Sequence, residues 1–129
     1  MANTSTLVDD KIPNYLFNGC GPIYEYAISI DTTATPLSIR TANAANRIWV
    51  VGIWLANSTA CNLTLQTASK LFTWQLAANQ GAPGQSNSSF YFVTKPGETL
   101  SVQSSATITD SVGKNLVLRL IEAPAPRPF

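Results

Sequence analysis

The chain has 129 residues, 45% hydrophobic and only 12% charged, with a formal net charge of +1. That length suits one domain with a real core but not two independent ones. The charged fraction is about half the usual ~25%, while Ser, Thr, Asn and Gln supply about a third of the chain. Such a mix is too apolar for disorder. The eight basic residues (Lys11, Arg40, Arg47, Lys70, Lys95, Lys114, Arg119, Arg127) are scattered, so the clustered footprint of a nucleic-acid binder is missing. No apolar run approaches the ~18 residues of a bilayer span; the longest, 48–56, is interrupted by Gly52. Met1-Ala2-Asn3-Thr4 is polar and lacks a signal-peptide pattern, so synthesis in a cytosol without Sec export is expected.

Residues 1–22 carry the punctuation of irregular chain: Asp9-Asp10, then Pro13, Asn14, Asn18, Gly19, Gly21 and Pro22. Ile12, Tyr15, Leu16 and Phe17 are nonetheless apolar, which predicts an extended arm lying on its own domain or on a neighbour. From Tyr24 the period becomes two. Tyr24, Tyr26, Ile28 and Ile30 alternate with polar or small residues, the signature of a half-buried strand. Leu37, Ile39 and Thr41 read as a short second strand. Residues 47–55 are apolar on both faces and β-branched, which predicts a central strand. On that strand, the five-residue separation of Trp49 and Trp54 puts the two rings on opposite faces.

Cys61, Leu63 and Leu65 alternate cleanly with Asn62, Thr64 and Gln66, and residues 71–76 make another strand, with Phe72, Trp74 and Leu76 on its core side. Residues 80–88 read as a loop and residues 90–94 as a strand closed by the Lys95-Pro96-Gly97-Glu98 turn. Leu100 and Val102 mark the next strand, Thr107-Ile108-Thr109 an edge piece, and residues 116–121 a strong last strand. The tail, Ala123-Pro124-Ala125-Pro126-Arg127-Pro128-Phe129, is polyproline-like. No helical period extends over three turns. The reading is all-β: a single β-sandwich, jelly-roll-like, of about eight strands. Its boundaries are an arm over 1–22, the sandwich over 23–123 and a Pro-rich tail over 124–129. The expected core is Ile48, Val50, Val51, Ile53, Leu63, Leu65, Phe90, Phe92, Leu100, Val102, Leu116, Leu118 and Leu120.

The chain has no histidine, which removes Ser-His-Asp, Cys-His and His-based metal sites together. The seven acids (Asp9, Asp10, Glu25, Asp31, Glu98, Asp110, Glu122) are spread out apart from Asp9-Asp10, and no pair has the signature of a glycosidase. No calcium loop or phosphate-binding glycine motif occurs. No enzyme, cofactor or metal is therefore expected. Cys20 and Cys61 read as two reduced, mostly buried thiols, with a bridge between them possible outside the cell. The N-x-S/T triplets at Asn3, Asn57, Asn62 and Asn87 are what an Asn/Ser/Thr-rich chain produces by chance. Trp49, Trp54 and Trp74 read as core or interface before carbohydrate platforms.

Asn46-Arg47-Ile48-Trp49-Val50-Val51-Gly52-Ile53-Trp54-Leu55 followed by Cys61-Asn62-Leu63-Thr64-Leu65-Gln66 resembles the middle of small β-sandwich virion proteins of tailed bacteriophages. Pro96-Gly97-Glu98-Thr99-Leu100-Ser101-Val102 and Asn115-Leu116-Val117-Leu118-Arg119-Leu120-Ile121-Glu122 extend the resemblance over roughly residues 24–122. It implies a non-enzymatic head decoration (cement) protein on the capsid surface, bound to the major capsid protein as a homotrimer. It also implies, as the alternative, a fibre or knob module recognising host-surface glycan. Tyr15, Phe17 and Phe129 are the expected arm anchors, and Trp49 or Trp54 the expected contact on the outer face of the central strand.

Overall fold

The computed structural model describes residues 3–12, 22–30, 35–56, 59–78, 80–81, 84–85, 90–106 and 116–124. These form ten strands and no helix: β1 (Thr4–Ile12), β2 (Ile23–Ser29), β3 (Leu37–Thr41), β4 (Asn46–Leu55), β5 (Cys61–Gln66), β6 (Leu71–Leu76), β7 (Gly84–Gln85), β8 (Phe92–Val93), β9 (Thr99–Ser104) and β10 (Leu116–Pro124). One sheet runs β1-β2-β10-β4-β7, with β8 sharing the same free edge of β4, and the other runs β3-β9-β5-β6; every pairing is antiparallel. With β7 and β8 counted as one position and β1 set aside, the two orders are those of a jelly roll, two Greek keys folded into facing sheets.

Alternation along each strand sends one row of side chains between the sheets. Ile28, Ile48, Val50, Ile53, Leu63, Leu65, Leu100, Val102, Leu116, Leu118 and Leu120 are all fully buried. A second, smaller cluster lies on the outer face of the first sheet: Ile23, Trp49, Val51, Ile121 and Ala123, with Ile12, Phe90 and Val93 packed against it. Of the expected core, Phe90 alone is only half-buried, and Val51 belongs to the outer cluster.

The two clusters are connected by an irregularity in β4. Gly52 pairs with Arg119 and Val50 with the next residue, Leu120, leaving Val51 without a partner on β10. This extra residue is a β-bulge, and it shifts the alternation of everything beyond it by one. Ile48 and Val50 point inward before the bulge, Ile53 and Leu55 after it, while Trp49 and Val51 point outward. Trp49 and Trp54 therefore share the outer face, and their expected placement on opposite faces is corrected. On the other edge of β4, β8 pairs with Trp49 and Val50 on one side of this point and β7 with Gly52 and Ile53 on the other.

A second bulge works across the sandwich. Ser38 pairs with Ser101 and Arg40 with Leu100, so Ile39 is the extra residue and Arg40 is turned toward the space between the sheets. There its Nε donates to Glu122 Oε1 at 2.6 Å and its Nη1 to the Tyr26 hydroxyl at 3.0 Å, with its guanidinium 4.1 Å from the Tyr24 ring centre. Glu122 also accepts from Asn46 Nδ2 at 2.9 Å and the Asn43 backbone N–H at 3.0 Å. Burial pulls the Glu122 pKa upward, but the donors from Asn43, Asn46 and Arg40 outweigh it and hold the carboxyl below its ordinary range. At the same end of β9, just before Thr99, Lys95-Pro96-Gly97-Glu98 is a type II turn: Glu98 N–H donates to Lys95 O, and Gly97 has φ +76°.

Several boundaries differ from the sequence reading. Residues 4–12 are not irregular: they pair with β2 as an edge strand, with bulges after Leu7 and Asp9 that absorb the Asp9-Asp10 step. The loop over 80–88 contains the short strand β7, and of residues 90–94 only Phe92 and Val93 are strand. β10 continues through Pro124, one residue past the expected sandwich boundary. Cys61 is buried with a free thiol. Cys20, Thr107-Ile108-Thr109 and residues 125–129 lie outside the described residues.

Two outcomes test this architecture. Leu118→Ala, at a fully buried inward position, is expected to lower unfolding stability by roughly 2–5 kcal/mol in urea denaturation. The depressed Glu122 pKa makes its contribution complete above the unfolded carboxyl value of about 4.3 and lost as pH falls through the lower folded value. Glu122→Gln is thus expected to destabilise the protein at pH 7 and to flatten the loss of stability that the wild type suffers below about pH 4, measured as melting temperature against pH.

Candidate functional site

Exposed apolar side chains, rather than a cluster of reactive groups, mark the candidate surfaces. Among the described residues the large exposed ones are Leu7, Val8, Trp54, Leu71 and Phe72. They fall in three places: the β1 edge, the outer face of the first sheet, and the β6 edge.

On the outer face, Trp54 is 38% exposed, whereas Trp49, five residues earlier, is 2% exposed. The difference comes from their neighbours. Trp49 is packed with Ile23, Val51 and Ile121, while Trp54 lies across Gly52 and Arg119. A Cβ at Gly52 would come within 2.7 Å of Trp54 Cζ3 and 3.2 Å of Arg119 Cβ, so the glycine leaves the space the ring occupies. The Arg119 guanidinium is 5.0 Å from the Trp54 ring centre, and its Nε donates to Glu25 Oε1 at 2.8 Å. Strand register sets this row: Gly52 opposite Arg119, Arg119 opposite Glu25, Glu25 opposite Asp9. Both ion-pair partners are partly open to solvent, where such a pair contributes about 0–1 kcal/mol. Its main effect is to fix the guanidinium beside the indole.

The lateral edges are the openings of the sandwich. At one, β1 lies against β3, with Leu7 and Val8 exposed. At the other, Phe72 meets Trp74 edge-to-face at 4.5 Å, and Trp74 meets Tyr91 at 6.4 Å. Phe72, Trp74 and Leu76 share the core side of β6 as expected, but burial increases along it: Phe72 is exposed, Trp74 half-buried, Leu76 buried.

Several other polar groups are engaged in holding the fold. Glu98, beside an open polar groove with Ser38, Gln66 and Ser101, accepts from Ser69 Oγ at 2.6 Å and Lys95 N–H at 2.8 Å. Burial pushes the Cys61 thiol up, more than its hydrogen bond with Ser104 lowers it, which suppresses the reactive thiolate. Among the described residues no three His, Cys, Asp or Glu side chains gather as metal ligands, and no helix is long and apolar enough to cross a membrane. Of the expected interface residues, Trp49 is buried by its own chain, Trp54 is exposed, and Tyr15, Phe17 and Phe129 lie outside the described residues. The exposed β1 and β6 edges were missed in the sequence. The signal was there: adjacent apolar pairs, Leu7-Val8 and Leu71-Phe72, which no alternating strand can bury on one face.

Gly52→Ala is expected to displace the Trp54 ring at a stability cost of about 1 kcal/mol or less, since the ring is free to swing outward. Subtracting the emission of Trp54→Phe isolates this ring, and its fluorescence is expected to shift to the red in the Gly52→Ala protein. No protein-family model, curated protein or solved structure matches the chain, which leaves its surface as the guide to its function.

Proposed function

We propose that the chain is a non-enzymatic structural protein of a tailed-bacteriophage virion. Specifically, it is a capsid decoration (cement) protein that binds the major capsid lattice as a homotrimer and stabilises the head. The observation that carries this reading is the placement of exposed apolar side chains on both lateral edges of a small jelly roll, Leu7 and Val8 on one and Leu71 and Phe72 on the other. Apolar surface of this kind is a mark of assembly, and a closed ring needs two different faces on each subunit. The weak, scattered charge fits a protein held by shape rather than by steering. Tyr15, Phe17 and Phe129 are the proposed anchors of the terminal segments on the capsid, reached after synthesis in the host cytoplasm.

Trp54 favours a second reading, a fibre or knob module that recognises host-surface glycan. An exposed indole beside the guanidinium of Arg119, which Glu25 holds by a hydrogen bond, has the form of a sugar-stacking platform. The two readings separate on one pair of measurements. As a decoration protein, the purified chain co-sediments with expanded capsids that lack it, and Tyr15→Ala/Phe17→Ala or removal of residues 125–129 weakens that binding. Protein that stays in the supernatant, together with a saturable change in Trp54 emission on glycan titration, would establish the second reading instead.

A further inference from the structure

The two exposed edges complement each other. On β1, Leu7 and Val8 are 44% and 54% exposed and are followed by Asp9 and Asp10; on β6, Leu71 and Phe72 are 64% and 45% exposed and are preceded by Lys70. Each strand closes its sheet, β1 beside β2 and β6 beside β5, with its other side unpaired among the described residues. Laid antiparallel, Leu7-Val8-Asp9 faces Phe72-Leu71-Lys70, apolar on apolar and acid on base. Laid parallel with Leu7 and Val8 against Leu71 and Phe72, Lys70 would face Thr6 and Asp9 would face Thr73, so the apolar pairs would meet but the acid and the base would not.

We propose that β1 of one copy docks antiparallel on β6 of the next, Leu7 and Val8 seating against Phe72 and Leu71 with Asp9 opposite Lys70, so that each chain uses its two edges in one head-to-tail ring. The occupant of each edge is thus a second copy of this chain. Three observations favour it over a symmetric contact. Two antiparallel β1 edges with Leu7 opposite Val8 would set Asp9 of each chain opposite Thr6 of the other, with no base facing the acid. Either symmetric contact would also leave the other apolar edge open. And β6 offers an aromatic floor: Phe72, Trp74 and Tyr91 form a continuous edge-to-face chain, the residue type that anchors interfaces. The Lys70 ammonium sits 4.9 Å from the Phe92 ring centre, at the same opening of the sandwich. The bulge after Leu7 breaks regular ladder pairing on β1, so side chains carry most of the contact, and indefinite strand stacking is blocked.

This inference rests on the self-assembly in the proposed function, and its test is built to fail separately. Val8→Asp disables the β1 edge and Phe72→Asp the β6 edge; both positions are exposed, and circular dichroism verifies the fold. Sedimentation equilibrium of the wild type is expected to give a closed ring, about three times the 13.8 kDa chain mass for a trimer. Each variant alone is expected at the monomer mass, its association weakened roughly 30-fold or more as for a lost interface anchor. Mixed in equal amounts, the two variants retain one intact pair of edges and are expected to form a heterodimer that grows no further. Should either acidic variant fail to fold, Asp9→Lys and Lys70→Asp replace the pair: each weakens assembly alone, and the double substitution in one chain restores it. A monomeric wild type, a variant that keeps the wild-type mass alone, or a mixture that stays monomeric would overturn the edge contact. A wild-type ring that never sediments with capsids would contradict the virion role and leave the edge contact standing; a monomer that sediments with them would do the reverse.

Discussion

The fold turns on one requirement: β4, the central strand of the larger sheet, has to bury apolar side chains on both of its faces. Ile48, Val50, Ile53 and Leu55 all point between the sheets, yet the step from Val50 to Ile53 is odd, and strict alternation cannot serve all four. The bulge at Val51 resolves this by spending one residue without a partner on β10. Consequences spread in both directions. Trp49 and Val51 are left outward and gather Ile23, Ile121 and Ala123 into the outer cluster. Along the far edge β8 pairs before that point and β7 beyond it, and Gly52 just past the bulge leaves the space that the Trp54 ring occupies.

The two sheets are then fastened at their edges by different means. On the β1–β3 side the fastening is polar: Ile39 bulges, Arg40 turns inward, and its guanidinium joins Glu122 and Tyr26. A buried carboxylate is costly unless its lone pairs are satisfied, and Glu122 has three donors. On the β6–β8 side the fastening is aromatic, through Phe72, Trp74 and Tyr91. Among the described residues, neither edge is fully covered. The apolar residues left there, Leu7 and Val8 against Leu71 and Phe72, are what distinguishes this jelly roll from a self-contained one, and they direct attention to assembly.

Much of the fold was legible in the sequence, because strand alternation is a local signal. Leu63 and Leu65, Leu100 and Val102, and Leu116, Leu118 and Leu120 each lie on the inward face that their period of two indicates. The positions of the bulges were not legible, since a bulge is defined by the pairing with the partner strand. Reading β4 as regular therefore set Trp49 and Trp54 on opposite faces, although an apolar run on both faces was itself the hint. β1 was obscured for a related reason. Its residues are mostly polar and exposed because an edge strand is held by backbone pairing with β2 rather than by a buried face. The candidate surface was legible only in part: Trp54 stood out as an aromatic, but its exposure depends on Gly52 and Arg119, which register alone brings beneath it.

Deleting Val51 tests the central requirement most directly. A one-residue deletion in a central strand ordinarily reverses every side chain beyond it. Here the deletion removes the unpaired residue, straightens β4 and leaves Ile48, Val50, Ile53 and Leu55 on the inward face by simple alternation. The expected result is a protein that still unfolds cooperatively in urea, destabilised by roughly 1.5–3 kcal/mol for the lost burial of one valine in the outer cluster. Loss of the cooperative transition would contradict it, because it would mean that β4 has no residue to spare.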